Sequence, residues 1–112
     1  MTTTTVGAVA LTRSGDKGRD ANIGVWARTD AAYEALRAAL SEEAVAAHFA
    51  AVLPGPVRRY ELPNLRALNF VLPGALGEGG SASLRTDAQG KAFGLALARM
   101  EIDVPDHLEV GA

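Results

Sequence analysis

The chain has no cysteine. Disulfides, thiolate metal sites, iron–sulfur ligation and a cysteine nucleophile are therefore excluded, and a reducing compartment suits the composition. Histidine is almost as scarce. His48 lies among alanines beside Phe49, His107 lies near the end of the chain, and no two histidines stand at metal-ligand spacing. No metal and no cofactor is expected. Charge of one sign is lacking too: the formal net charge is −2, which gives no electrostatic case for nucleic acid. No run approaches the ~18 consecutive apolar residues that a bilayer span needs, so no membrane partner is expected. Met1 to Thr5 carries no basic residue ahead of Val6 and is not a secretory signal. A cytoplasmic location is the expectation that follows.

Against these absences stand 112 residues with 48% apolar and 21% charged content, the profile of one ordinary globular domain spanning 1–112. A chain of this size should bury roughly 65% of its unfolded surface, enough for a core without staples. Segments 1–5 and 104–112 are expected to be loose tails.

Val6 to Thr12 reads as a strand buried on both faces, and Asn22 to Arg28 as a second strand. In that second strand Ile23, Val25 and Ala27 share one face and Asn22, Gly24, Trp26 and Arg28 the other. Asp30 is expected to cap a helix carrying Tyr33, Leu36 and Leu40; Ser41, with Glu42 and Glu43, should start another, which Pro54-Gly55-Pro56 stops. Val57 to Leu62 reads as a third strand, with Tyr60 and Leu62 on one face and Arg59 and Glu61 able to pair on the other. Leu65, Leu68, Leu72 and Leu76 form a helical stripe that Pro73 contradicts; the rival is a strand over Leu68 to Leu72. Ser81 to Thr86 is a short strand candidate. Asp87 can cap a last helix with Phe93, Leu97 and Met100 in register, with a strand over 93–97 as its rival. The mixture predicts an α+β fold: a ferredoxin-like α/β sandwich with helices on one face of a mostly antiparallel sheet.

The polar segment from Arg13 to Ala21 carries the densest chemistry. A hairpin can turn on two residues, so the surplus of charge asks for a ligand. Gly15 and Gly18 permit backbone geometries that form an anion nest, and Lys17, Arg13 and Arg19 would add charge. It is not a Walker A loop, because only two residues separate the glycines and a strand follows. Ser14 and Lys17 share the Ser-x-x-Lys spacing of some acyl-transfer enzymes, but that pairing needs a helix. Asp16 and Asp20 are too few for calcium. Arg59, Glu61, Asn64, Asn69 and Arg85 are polar residues set in apolar stretches; they either satisfy loop backbone or line the same pocket.

Four motifs in sequence, Ser14-Gly15-Asp16-Lys17-Gly18 with Ala21-Asn22-Ile23-Gly24, Arg59 to Leu65, Ala67 to Leu72, and Ser83-Leu84-Arg85 with Gly90-Lys91, resemble the C-terminal domain of the acyclic terpene utilisation (AtuA-like) family. The likeness runs from about Ala8 to Ile102. It implies a ferredoxin-like fold and a link to catabolism of citronellol and geraniol through CoA thioesters. It brings no catalytic residues to transfer. Arg19 stands where the family often has an acidic residue, which favours an anion over a metal. In that family the domain commonly follows a larger N-terminal domain. The expected function is an accessory domain, not an enzyme by itself, binding an anionic or acyl-CoA-type ligand through Ser14, Gly15, Asp16, Lys17, Gly18, Asn22, Arg59, Glu61, Asn64, Asn69 and Arg85. The alternative is a module for self-association or for docking a separate AtuA-type N-terminal-domain protein; an acyl-CoA-type enzyme ranks third.

Overall fold

The computed structural model describes residues 1–17, 20–50, 55–73 and 91–108, with backbone alone for 16, 17, 91 and 92. Along the chain run strand β1 (Thr2–Thr5), a single helical turn α1 (Val6–Val9), strands β2 (Ala10–Lys17) and β3 (Asp20–Ala27), and helices α2 (Asp30–Ala39) and α3 (Glu42–Phe49). Strand β4 (Arg58–Leu62), a 3-10 turn (Pro63–Leu65), strand β5 (Ala67–Leu72), helix α4 (Lys91–Ala98) and strand β6 (Glu101–Val104) follow.

Local chemistry sets the helix boundaries. Thr29 lies in extended backbone and its Oγ1 accepts the Ala32 amide at 3.0 Å, so the cap of α2 is Thr29 and Asp30 is the first helical residue, favourable at the positive end of the dipole. Ser41 repeats the device for α3, accepting the Ala44 amide at 3.0 Å, with Glu42 and Glu43 in the first turn. Between β4 and β5 the chain reverses through the 3-10 turn and Arg66, whose φ of 50° lies in the left-handed region; its carbonyl accepts the Ala27 amide at 2.8 Å.

All strand pairs are antiparallel. One sheet has the order β2-β3-β5-β4; a second, two-stranded sheet pairs β1 with β6. The run β3, α2–α3, β4, β5, α4 follows the β-α-β-β-α course of a ferredoxin-like fold, and β2 occupies the fourth strand position beside β3.

The helices cover one face of the larger sheet. Ala21, Ile23, Val25 and Ala27 of β3 and Leu68, Phe70 and Leu72 of β5 point into that layer and are buried, together with Tyr33, Leu36, Leu40, Val45, Phe49, Phe93 and Leu97 from the helices. Phe49 and Phe93 meet edge to face with ring centroids 6.0 Å apart, a favoured aromatic geometry. Ile102 and Val104 extend the core under the small sheet.

Several expectations are corrected. Val6–Val9 is helical, and β2 starts at Ala10 and runs through the supposed loop as far as Lys17. Thr2–Thr5 is no loose tail: it pairs residue by residue with Glu101–Val104, consistent with the strand preference of β-branched threonine. Leu68 to Leu72 lies in a strand and not in a helix, whereas 91–98 is helical. The strand expected over Ser81 to Thr86 and the cap at Asp87 lie outside the described residues.

Candidate functional site

Strand alternation sorts the candidate residues onto two faces. On the helix-covered face, β2 contributes Ala10, Thr12 and Ser14. These short side chains let α4 approach closely: Thr12 Oγ1 donates to the Gly94 carbonyl at 3.0 Å, and Ser14 Oγ accepts the Gly94 amide at 3.3 Å. Ser14 Oγ thus meets a backbone amide in the first turn of α4 and ties strand β2 to that helix. A Cβ on Gly94 would stand 2.9 Å from Ser14 Oγ, too close without a shift. Ser14 and Lys17 fall at opposite parity on one strand, so the Ser-x-x-Lys pairing is ruled out by geometry.

Arg59 and Glu61 also belong to the helix side. Arg59 Nη1 donates to the carbonyls of Arg37 at 2.8 Å and Leu40 at 3.0 Å, satisfying the C-terminal end of α2. Its Nη2 meets Glu61 Oε2 at 2.9 Å, and its backbone amide donates to Glu42 Oε2 at 2.8 Å. Arg37 adds a 2.8 Å pair to Glu34 and a 3.7 Å contact to Glu61; the Glu34 hydrogen bond and charge raise its pKa further above its ordinary value. These residues tie strand β4 to the corner between α2 and α3.

The other face of the sheet has no described helix on it. Its residues form rows across the strands β2, β3, β5 and β4. One row is Leu11, Trp26, Ala67 and Leu62; the next is Arg13, Gly24, Asn69 and Tyr60; the next is Gly15, Asn22, Val71 and Arg58. Leu11 is 57% exposed, Tyr60 50%, Leu62 41% and Trp26 37%. The indole of Trp26 lies over Gly24, where an added Cβ would be 2.5 Å from Cη2. Glycine at 24 thus lets the ring lie against the strand. The side chains of Asn22 and Asn69 make no hydrogen bond, and Arg13 and Arg58 no ion pair, among the described residues.

Gly15, Asn22 and Asn69 therefore share the open face, while Ser14, Arg59 and Glu61 serve the covered one. Asn64 is exposed in the 3-10 turn at one end of the sheet. The Lys17–Asp20 pair closes the β2–β3 ladder at the other end, about 20 Å away at ~3.4 Å per residue along β3. No single pocket can include both. Asp16 and Lys17 are placed by backbone alone, and Gly18 and Arg85 lie outside the described residues. The sequence pointed to Arg13 as a source of charge at the loop, but not to Leu11, Trp26, Arg58, Tyr60 or Leu62. The alternation of 22–28 and of 58–62 was the signal that could have found most of them.

Among the described residues no group of three or more histidines or carboxylates could hold a metal ion, and no helix is long and apolar enough to cross a membrane. No curated protein and no solved structure matches the chain. The profile of the AtuA ferredoxin-like domain matches residues 4–103, from Thr4 within β1 to Asp103 within β6. With that match over most of its length, the chain belongs to the AtuA ferredoxin-like domain family.

Proposed function

We propose that this chain is a docking domain that contributes a binding surface and no reacting group. The observation that carries the reading is the open sheet face, on which Leu11, Trp26, Tyr60 and Leu62 are exposed together. A contiguous apolar surface on an otherwise well-packed domain is how interaction sites are recognised. The surface spans all four strands of the sheet, and its aromatic and arginine content is that of an interface core. The family tie suggests that a partner belongs to acyclic terpene catabolism and is a separate AtuA-type N-terminal-domain protein. The test is binding of the chain to such a protein by biolayer interferometry. Trp26→Glu is expected to weaken binding at least tenfold; binding unaffected by the variant overturns the reading.

A second reading rests on the exposed Arg13 and Arg58, which flank the free carboxamides of Asn22 and Asn69 and share their face with the Lys17 position. That set suits a phosphate or carboxylate, such as those of an acyl-CoA. Calorimetric titration with an acyl-CoA and with inorganic phosphate separates the sources. Heat that is lost in Arg58→Ala and Lys17→Ala supports it, and equal heats from wild type and variants exclude it.

A further inference from the structure

We propose that the occupant of the open sheet face is a second copy of this chain, stacked about a two-fold axis that runs parallel to the strands between β3 and β5. The inference rests on the docking reading of this face, but it places a second copy there in place of a separate AtuA-type protein, so the two occupants would compete for one surface. A homodimer interface is isologous: one patch must fit itself. An axis in that place carries β2 over the second copy's β4 and β3 over its β5, row on row.

The rows then fit by size. Leu11 meets the second copy's Leu62, and Trp26, the largest residue on the face, stands in register with Ala67 while its indole lies over Gly24, opposite the second copy's Asn69. Arg13 meets Tyr60, a cation against an aromatic ring, and Arg58 meets Gly15. Trp26 and Arg58 stand in register with residues of little or no side chain, Ala67 and Gly15, while Asn22 faces Val71. A two-fold axis across the strands would instead set Leu11 and Trp26 against the end of the ladder held by Lys17 and Asp20. The parallel axis also brings Asn22 and Asn69 to the centre. There the carboxamides of one copy reach those of the other, a use of polar side chains that fixes register within an apolar contact.

The area suffices. Four strands at ~4.8 Å spacing and six residues at ~3.4 Å give a plane of about 19 by 20 Å. Roughened by side chains, such a plane covers on the order of 600–800 Å² per copy, the lower part of the range for specific interfaces. Stacked sheets pack about 10 Å apart with strands within about 30° of parallel, which the arrangement permits.

The experiment combines sedimentation equilibrium with cross-linking, for which the cysteine-free chain needs no prior substitution. At tens of micromolar the wild type is expected at twice the chain mass, and Trp26→Glu at the chain mass with its thermal transition retained. A mixture of Leu11→Cys and Leu62→Cys proteins should be joined by a short bismaleimide several-fold faster than either alone. Within one chain the two positions lie three strand spacings apart, about 14 Å, so the doubly substituted chain cannot mask the result by closing on itself. A monomeric wild type overturns the proposal, as does a dimer in which Leu11→Cys alone links as fast as the mixture. If the wild type is monomeric but Trp26→Glu still abolishes binding to the AtuA-type N-terminal-domain protein, the docking surface stands and the self-association falls. If the variant changes neither, both fall.

Discussion

Arg58 and Arg59 are neighbours in sequence and face opposite sides of the same strand, and their surroundings differ as much as the two faces do. Arg59 has its guanidinium against two helix-end carbonyls and a carboxylate. Arg58 is exposed and has no ion pair among the described residues. The contrast holds across the sheet. The covered face is closed: Phe70, Ile23 and Leu72 are buried and the polar atoms at its margins are matched. Among the described residues, the open face has unmatched carboxamides and cations, and four large apolar side chains are exposed on it. Closed chemistry is a signature of stability, and open chemistry a signature of something to be bound.

The largest test of that contrast is truncation on each side. Phe70→Ala should cost about 3–5 kcal/mol, because it removes a fully buried ring from the centre of the core. Trp26→Ala, measured at a dilution where the chain is monomeric, should cost under about 1 kcal/mol. Chemical denaturation reads both; equal losses would erase the distinction between the faces.

The arginine pair gives the next effect. Arg59→Ala should lose about 1–3 kcal/mol, since two carbonyls at the end of α2 and Glu61 lose their donor. Arg58→Ala should lie within about 0.5 kcal/mol of wild type. A large loss at Arg58 would mean that the open face has a structural duty.

Inside the covered layer, among the described residues, one group breaks the pattern: the Tyr33 hydroxyl is buried with no hydrogen-bond partner there. Tyr33→Phe removes the unmatched atom and keeps the ring, so stability should hold or rise by up to about 1 kcal/mol. A loss of that size instead would reveal an acceptor for the hydroxyl.

The smallest effect is at the margin. The hydrogen bond from Thr2 at 2.7 Å, and then the Met1 ammonium at 3.1 Å, hold the Asp106 carboxyl below the usual carboxylate range. A depressed pKa in the folded state contributes stability above the unfolded value, and that contribution fades as pH falls through the lowered one. The group is exposed, so the melting temperature should not register it. The amide signals of Thr2 and of 106–108 should titrate together below the usual range, and Asp106→Asn should abolish that titration.

How much of this could be read from residues alone depended on whether periodicity was visible. The caps at Ser41 and the Arg59–Glu61 pair were legible because a hydroxyl before two carboxylates and a two-residue strand spacing each have one natural geometry. Strand β5 was ambiguous because Leu68 and Leu72 are four apart, a helical interval, although they also share a strand face with Phe70. Pro73 was the better witness. Strand β2 was hidden more deeply. Its inward positions Thr12 and Ser14 are polar, chosen by the close approach of Gly94 some 80 residues on, and no local pattern records that contact. The candidate site suffered for the same reason: polar residues were grouped by chemistry before alternation had assigned them to faces.

The pairing of Thr2–Thr5 with Glu101–Val104, and the contact of Met1 with Asp106, have a consequence for chain connectivity. The two extremities of the fold meet at one corner, and β2 fills a place that a final strand would otherwise take. The polypeptide is close to a ring that has been cut once. A few residues bridging Met1 and the stretch after Asp106 would close it, and a new cut at the exposed turn 63–65 would leave every ladder pairing intact, so the order in which these elements are joined is a smaller constraint on the domain than the way they pack.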